Sequence, residues 1–381
     1  MPLAPSALEP VLRVAIVEGI GPTRLAALMK RFGSAERILA ARADELMAVE
    51  KLGRVLVGRL RAAATPEGLE RARTAMAVMK KADAVALTPD DAAYPDAFRK
   101  LDDAPYLLFA VGNLDLLATE GLAVVGTRAP SHYGLATTTK LVEAVAKEGL
   151  TIVSGMARGI DAAAHATALA AGGGTVGVLG NGIEQAYPPE NARLFEKVRE
   201  KGLLITEFAP GEQPNAGNFP RRNRLIAALS LAVLVVEMGE KSGARHTVDY
   251  ALAQGKDVYA VPGPISSDVS AGTNLLLKDG ATLVTSARDI LEGIRGVGRA
   301  FTRTLVPEAA PAVPVAPPSP PPDLAPDESA VFAALAAEAR HVDELSAASG
   351  LASSSVLAAL LGLELRDLAV SLPGKQYRLR G

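Results

Sequence analysis

The chain has 381 residues, 49% of them hydrophobic, with 40 Lys and Arg against 42 Asp and Glu. The length predicts two or three domains, the apolar half excludes global disorder, and a net charge of −2 excludes a polycation, so any nucleic-acid surface has to be a local patch. There is no Cys, and the four His (His132, His165, His246, His341) share no metal-binding spacing. Disulfides, thiol nucleophiles, Fe–S clusters and zinc sites therefore fall away, and no cofactor or metal is expected. The opening MPLAPSALEP lacks the basic and apolar regions of a secretory signal, and no apolar run approaches a membrane span. The expectation is a soluble, cytoplasmic protein with no membrane contact.

Residues 1–80 read as a helical domain, with apolar residues at helical spacing through LRVAIVEGIGPTRLAALMKRFGSAERILAA. Gly19-Ile20-Gly21 sits between two apolar helices. Such a hairpin can show backbone N–H groups to a phosphate, but a helix–helix turn with Gly as C-cap is the favoured reading. Residues 81–300 change pattern. Apolar runs of strand length, LAVVG (122–126), TIVSG (151–155), TVGVLG (175–180), LLITEF (203–208), LAVLVVE (231–237), DVYAVPG (257–263) and ATLV (281–284), alternate with helical stretches. Strands alternating with helices predict βαβ units, and near-continuous apolarity predicts that both sheet faces are covered. The expected fold class is α/β: a Rossmann-like, doubly wound, mainly parallel sheet. Residues 301–326 are Pro-rich and read as an extended linker rather than an SH3-type ligand. Residues 327–381 read as three helices and a hairpin, a winged-helix domain. Its third helix, SSSVLAALLGLELRDL, offers only Arg366 as a cation, which favours core packing or protein contact over duplex reading. Lys375, Arg378 and Arg380 leave room for weak phosphate contact.

In an open parallel sheet ligands bind beyond the carboxyl ends of the strands, so the loops there carry the chemistry. The first predicted strand is followed by Gly126-Thr127-Arg128. The second is followed by Ser154-Gly155-Met156-Ala157-Arg158-Gly159-Ile160-Asp161, whose glycines let backbone approach a ligand at a helix start; Arg128 and Arg158 complement an anion there. An ordinary strand-to-helix turn capped by Ser154 is the alternative. Gly180-Asn181-Gly182 and Tyr187-Pro188-Pro189-Glu190-Asn191 read mainly as architecture, and His165 as a satisfied core residue. The sharpest cluster is Asn218-Phe219-Pro220-Arg221-Arg222-Asn223-Arg224. Three Arg in four residues at a helix start oppose the helix dipole and call for an anion. Phe219 beside them suits base stacking in single-stranded nucleic acid. The alternative is that Arg222 or Arg224 pairs with Glu207 or Glu237, and at least one arginine is expected to do so. Lys241-Ser242-Gly243 opens a further helix as a candidate anion nest. No Gly-x-Ser-x-Gly, Walker A or Gly-x-Gly-x-x-Gly motif stands where its chemistry would need it.

These motifs resemble the DNA-processing protein A (DprA/Smf) family. The resemblance rests on YPDAFRKLDDAPYLLFAVGN (94–113), VVGTRAPSHYG (124–134), VSGMARGIDAAAH (153–165), VLGNGIEQAYPPEN (178–191), FPRRNRLIAALS (219–230), VVEMGEKSGARHTVDYAL (235–252), VPG (261–263) and GTNLL (272–276). It implies a single-stranded-DNA-binding protein of natural transformation that protects incoming strands and helps load the RecA recombinase. It further implies homodimers through the Rossmann-like domain and no enzymatic activity. The family's DNA pocket maps onto Gly126, Arg128, Ser154, Gly155, Ala157, Arg158, Gly159, Phe219, Arg221, Arg222, Asn223 and Arg224; Lys241, Ser242 and Gly243 join them as the anion nest. Two departures stand out: Thr127 replaces the family's usual Ser, and SGARHTVDY replaces an SGSLITA-like segment. Rival readings are a LOG-like nucleotide phosphoribohydrolase, for which this chain lacks the double Gly and the Glu and has only Asp249 nearby, and a winged-helix regulator.

Overall fold

The computed structural model describes residues 5–296, 324–335, 340–366, 368–372 and 376–379. The Pro-rich stretch, apart from residues 324–326, and the basic positions Lys375 and Arg380 lie outside the described residues. The chain divides into two units, Met1–Thr304 and Leu305–Gly381.

In the first unit, strands β1 (Val85–Leu87), β2 (Leu108–Gly112), β3 (Gly121–Val125), β4 (Thr151–Ser154), β5 (Thr175–Val178), β6 (Leu203–Thr206), β7 (Ser230–Val235), β8 (Asp257–Ala260) and β9 (Thr282–Leu283) form one sheet. Its order is β1-β2-β6-β5-β4-β3-β7-β8-β9. From β6 to β9 every pairing is parallel, whereas β1 and β2 run antiparallel at one edge. Those two strands answer to no predicted run. β1 is three residues long, and the helix between the two strands, Asp96–Arg99, is a single turn that leaves no periodic signal.

Both faces of the sheet are covered, which is why its central strands read as unbroken apolar runs. Ala123, Val125, Val153 and Val176 turn to one face and pack with Leu225 and Val248. Leu122, Val124 and Ile152 turn to the other and pack with Leu141, Val142 and Ile160. The N-terminal helices are joined to the sheet: Leu8, Leu12, Leu28 and Leu60 share one apolar cluster with Phe109, Met156, Leu179 and Leu204. Among the described residues no single helix is long and apolar enough to cross a membrane.

The second unit has helices Pro326–Ala334, Val342–Ser349 and Ser353–Leu365. Strands β10 (Arg340–His341), β11 (Ala369–Leu372) and β12 (Gln376–Leu379) form a sheet in the order β10-β12-β11. The antiparallel β11–β12 pair is the predicted hairpin. The third helix turns Val356, Leu360 and Leu363 inward and leaves Leu357 and Leu361 exposed, so its outer face is apolar, as its sequence implies.

The helix Asn218–Ala228 must end where β7 begins, and Lys256 closes that end. Its ammonium donates to the carbonyls of Ala227, Ala228 and Ser230. A cation at a helix C-terminus also meets the negative end of the dipole. Lys256→Met leaves three carbonyls without that donor and is expected to cost about 2 kcal/mol. The check is a shifted denaturant midpoint with an unchanged slope.

Candidate functional site

The strand order reverses at β3, whose neighbours are β4 on one side and β7 on the other. The loops at the carboxyl ends of these strands should frame a ligand crevice. The start of the helix His132–Lys147 is already filled. The Glu237 carboxylate, only 2% exposed, accepts hydrogen bonds from the backbone N–H of Ser131 at 2.8 Å and from its hydroxyl. An internal anion thus holds one of the two helix starts next to β3.

The second start, Ser154–Asp161, is held the same way. Asp161 Oδ2 accepts the N–H of Gly155 at 3.0 Å and that of Ala157 at 3.4 Å. On its other side the Gly155 carbonyl accepts from Arg222 Nη1 at 2.9 Å, and the same nitrogen donates to the Val178 carbonyl. A Cβ at Gly155 would stand 2.5 Å from Arg222 Nη2 and 2.9 Å from Asp161 Oδ2, so only Gly fits between the two charges. Asn191 Nδ2 then donates to the carbonyls of Met156 (2.9 Å) and Ala157 (3.1 Å). Met156 is held at φ 57° and Gly159 at φ 76°, in the left-handed region. Such backbone persists only where its surroundings over-determine it. A Cβ at Gly159 would strike the Thr127 carbonyl oxygen, which packs this loop directly against the Thr127-Arg128 loop.

This corrects the reading of residues 155–159 as an open phosphate cradle. Gly155 approaches Arg222 and Asp161, and its N–H and that of Ala157 are spent on Asp161. Ser154 is buried and its hydroxyl donates to the Val124 carbonyl. Gly126 meets Ile160 and the Glu237 carbonyl. Burial pushes the Asp161 carboxyl above the usual carboxylate range, opposed by Arg222 and the two N–H donors. Burial also pushes Arg222 down to about 10, against the pull of Asp161, and Arg222 stays charged at neutral pH.

The arginines divide into two groups. Arg222 and Arg224 are 5% and 2% exposed and turn inward. Arg224 pairs with the buried Glu207 at 2.8 Å and with Asp103 at 2.7 Å, the pairing expected of at least one of them. Arg221 is half-buried, shares Glu207 at 3.1 Å and lies 5.3 Å over the Phe208 ring; Gly21 of the N-terminal helical hairpin stands beside it. Asn223 accepts from Arg222 Nε and reaches the Gly243 carbonyl. Only Arg128 and Arg158 present exposed guanidinium groups at this edge from the original set. Arg158 meets the exposed Glu190 at 3.4 Å, a pair worth little in water. Lys241 is exposed nearby on the β7 side, but the Ser242 N–H is spent on the Gly239 carbonyl, so this nest too is partly filled. Asp249, the nearby acid, is tied to Arg245 at 2.9 Å.

One element of the site reads in the sequence mainly as architecture. The Tyr187 ring stacks on Phe219, centroids 5.3 Å apart and planes 20° apart. Arg128 Cζ lies 5.9 Å from the Phe219 centroid. Gly180 packs against the same ring. Tyr187 stands in an aromatic-poor chain just ahead of two prolines, which is the signal that marked it.

His165 is buried as expected, but not fully satisfied. Thr175 Oγ1 donates to the Ile152 carbonyl, so His165 Nδ1 donates to Thr175 Oγ1 at 2.7 Å. Nε2 is buried without a partner among the described residues. Burial, helped by the Arg222 charge, pushes the imidazole down to about 3. The unfolded chain therefore binds a proton that the fold refuses between about pH 6.5 and 3. Stability is full above the unfolded value and falls as the pH drops below it. Between pH 7 and pH 5 the wild type is expected to lose about 2 kcal/mol that His165→Gln does not lose, read from denaturation midpoints at the two pH values. Arg224→Met leaves the buried Glu207 carboxylate with the half-buried Arg221 as its one remaining cation and is expected to cost about 3 kcal/mol, part of which Glu207→Gln restores in the double variant.

With this geometry in hand, the comparisons are specific. The family model described as DNA recombination-mediator protein A matches residues 85–295, and the DprA winged helix domain matches residues 315–375. Protein Smf of Synechocystis sp. is 35% identical over 392 residues, covering 96% of each chain. DNA processing protein DprA of Streptococcus pneumoniae is 45% identical over 201 residues, covering 53% of this chain and 71% of the relative. The X-ray structure of the S. pneumoniae protein aligns with a TM-score of 0.65 at 33% identity, covering 76% of this chain and 98% of that one. DNA processing protein A of Helicobacter pylori, studied for its single-stranded DNA binding mode, aligns with a TM-score of 0.52 at 30% identity, covering 56% of this chain and 96% of that one.

Proposed function

The chain belongs to the DNA recombination-mediator protein A family, whose members carry the names DprA and Smf, and on that premise we propose that it binds single-stranded DNA along the carboxyl edge of its sheet. One observation carries the reading: Arg128 and Arg158 stand exposed on two abutting loops fixed from within, beside an aromatic stack. Backbone phosphates meet the two guanidinium groups and Lys241, and bases lie against the aromatic side. Arg222, Arg224, Asp161 and Ser154 act by shaping the loops, not by touching DNA. Gly126, Gly155, Ala157, Gly159, Arg221, Asn223, Ser242 and Gly243 complete the walls.

Holding the strand by its phosphates reads no sequence and leaves base edges open. That suits a protein that protects incoming DNA and passes it to a RecA-type recombinase during natural transformation, the role that the resemblance implies. A homodimer through the Rossmann-like domain, in the cytoplasm, would set two grooves on one strand and raise avidity without a larger patch. No catalytic step is proposed. The nucleotide phosphoribohydrolase alternative needs an acid beside an open phosphate nest, and the acids at the two helix starts next to β3, Asp161 and Glu237, are already engaged.

Arg128→Ala and Arg158→Ala are each expected to weaken ssDNA binding equally for all sequences and to flatten the salt slope by about 0.7 per lost phosphate contact. Glu190→Gln, which releases Arg158, is expected to tighten it. Filter binding across a salt series checks both. Unchanged affinity in the folded Arg128→Ala/Arg158→Ala double variant would show that the strand runs elsewhere.

A further inference from the structure

Phe219 is the aromatic residue that sequence reasoning offers to a base, yet in the folded chain it is crowded. Tyr187 stacks on it, Arg128 lies over its ring, and the Gly180 backbone sits where a Cβ would come within 2.6 Å of Cδ1. Tyr187 is different. The residue is 37% exposed, and among the described residues no ring or guanidinium covers its other face. The Tyr94 and Tyr133 hydroxyls are anchored on the Pro105 and Pro262 carbonyls, whereas the Tyr187 hydroxyl donates to nothing among the described residues. Tyr187 is linked to both cations through a shared neighbour. It touches the ring that Arg128 covers, and its own loop carries Glu190, the partner of Arg158.

We propose that Tyr187 is the residue on which a nucleobase of the bound strand stacks, with Phe219 as the backing ring that fixes its plane. The assignment rests on the single-strand-binding reading above and gives it a contact that the family resemblance did not supply. A base laid on the outer face of Tyr187 extends an existing Tyr–Phe–Arg column by one layer, with no ring displaced. The strand then continues from the stacked base toward Arg158, whose partner Glu190 lies on the same loop as Tyr187. Every base has a stacking face, so the contact adds affinity and little sequence preference.

The chain has no Trp, so Tyr187→Trp places a single indole at this position. Titration with oligo(dT) is expected to quench its emission in step with binding, followed in parallel by the anisotropy of labelled oligo(dT). Tyr187→Phe should bind like the wild type, and Tyr187→Leu, which still covers Phe219, about tenfold more weakly. Equal thermal midpoints for the Phe and Leu variants would place the loss in binding and not in folding. Binding without quenching, a red shift showing the indole expelled into water, or a Leu variant as tight as wild type would each overturn the assignment while leaving the groove in place. A wild-type chain that binds no oligo(dT) would overturn the groove reading and this assignment with it.

Discussion

The backbone of Gly155 is the hinge on which this molecule's edge chemistry turns. Its N–H is held by a buried carboxylate and its carbonyl by a buried guanidinium, and no side chain fits between them. Asp161 and Arg222 are both costly to bury, and their hydrogen bonds to the two peptide groups that flank one Cα make that burial tolerable. What the arrangement achieves is position. It ties the loop after β4 to the helix Asn218–Ala228 and, through Val178, to the end of β5. Asn191 locks the same loop from outside. The outcome is a left-handed backbone at Met156 and an Arg158 that points away from the core on a support that has nowhere to move. Preorganisation of this kind lowers the ordering cost of binding.

The same logic explains why a chain of net charge −2 can still present a cationic spot. The helix starts that would otherwise collect anions are closed with the protein's own carboxylates, Glu237 and Asp161. That leaves the free positive charge at the rim, on the side chains of Arg128, Arg158 and Lys241. The nearby Glu190 offsets the charge of Arg158 until a phosphate competes for it, so binding is expected to be modest per site and strongly dependent on salt.

Much of the sheet was legible because β3 to β8 are apolar on both faces and separated by helix-length segments. β1 and β2 were not, since a three-residue strand and an antiparallel edge leave no alternation to find. In the site, the loops were placed correctly from strand ends alone, and the split among the arginines was not. Arg221, Arg222 and Arg224 look alike in a run. Which of them turns inward depends on Glu207, on the Gly155 and Val178 carbonyls and on Asp103, partners 14 to 121 residues away. The stacking of Tyr187 on Phe219 was hidden for a related reason: it joins a loop to the first turn of a helix 32 residues on, and neither sequence announces the other.

The most direct test of the central claim is a filter-binding titration of the intact chain with single-stranded DNA and with duplex of the same sequence, each at low and at physiological salt. The account predicts tighter binding to the single strand, little dependence on its sequence, and a steep loss of affinity as salt rises. Equal binding to duplex, or single-strand binding that salt leaves untouched, would contradict it.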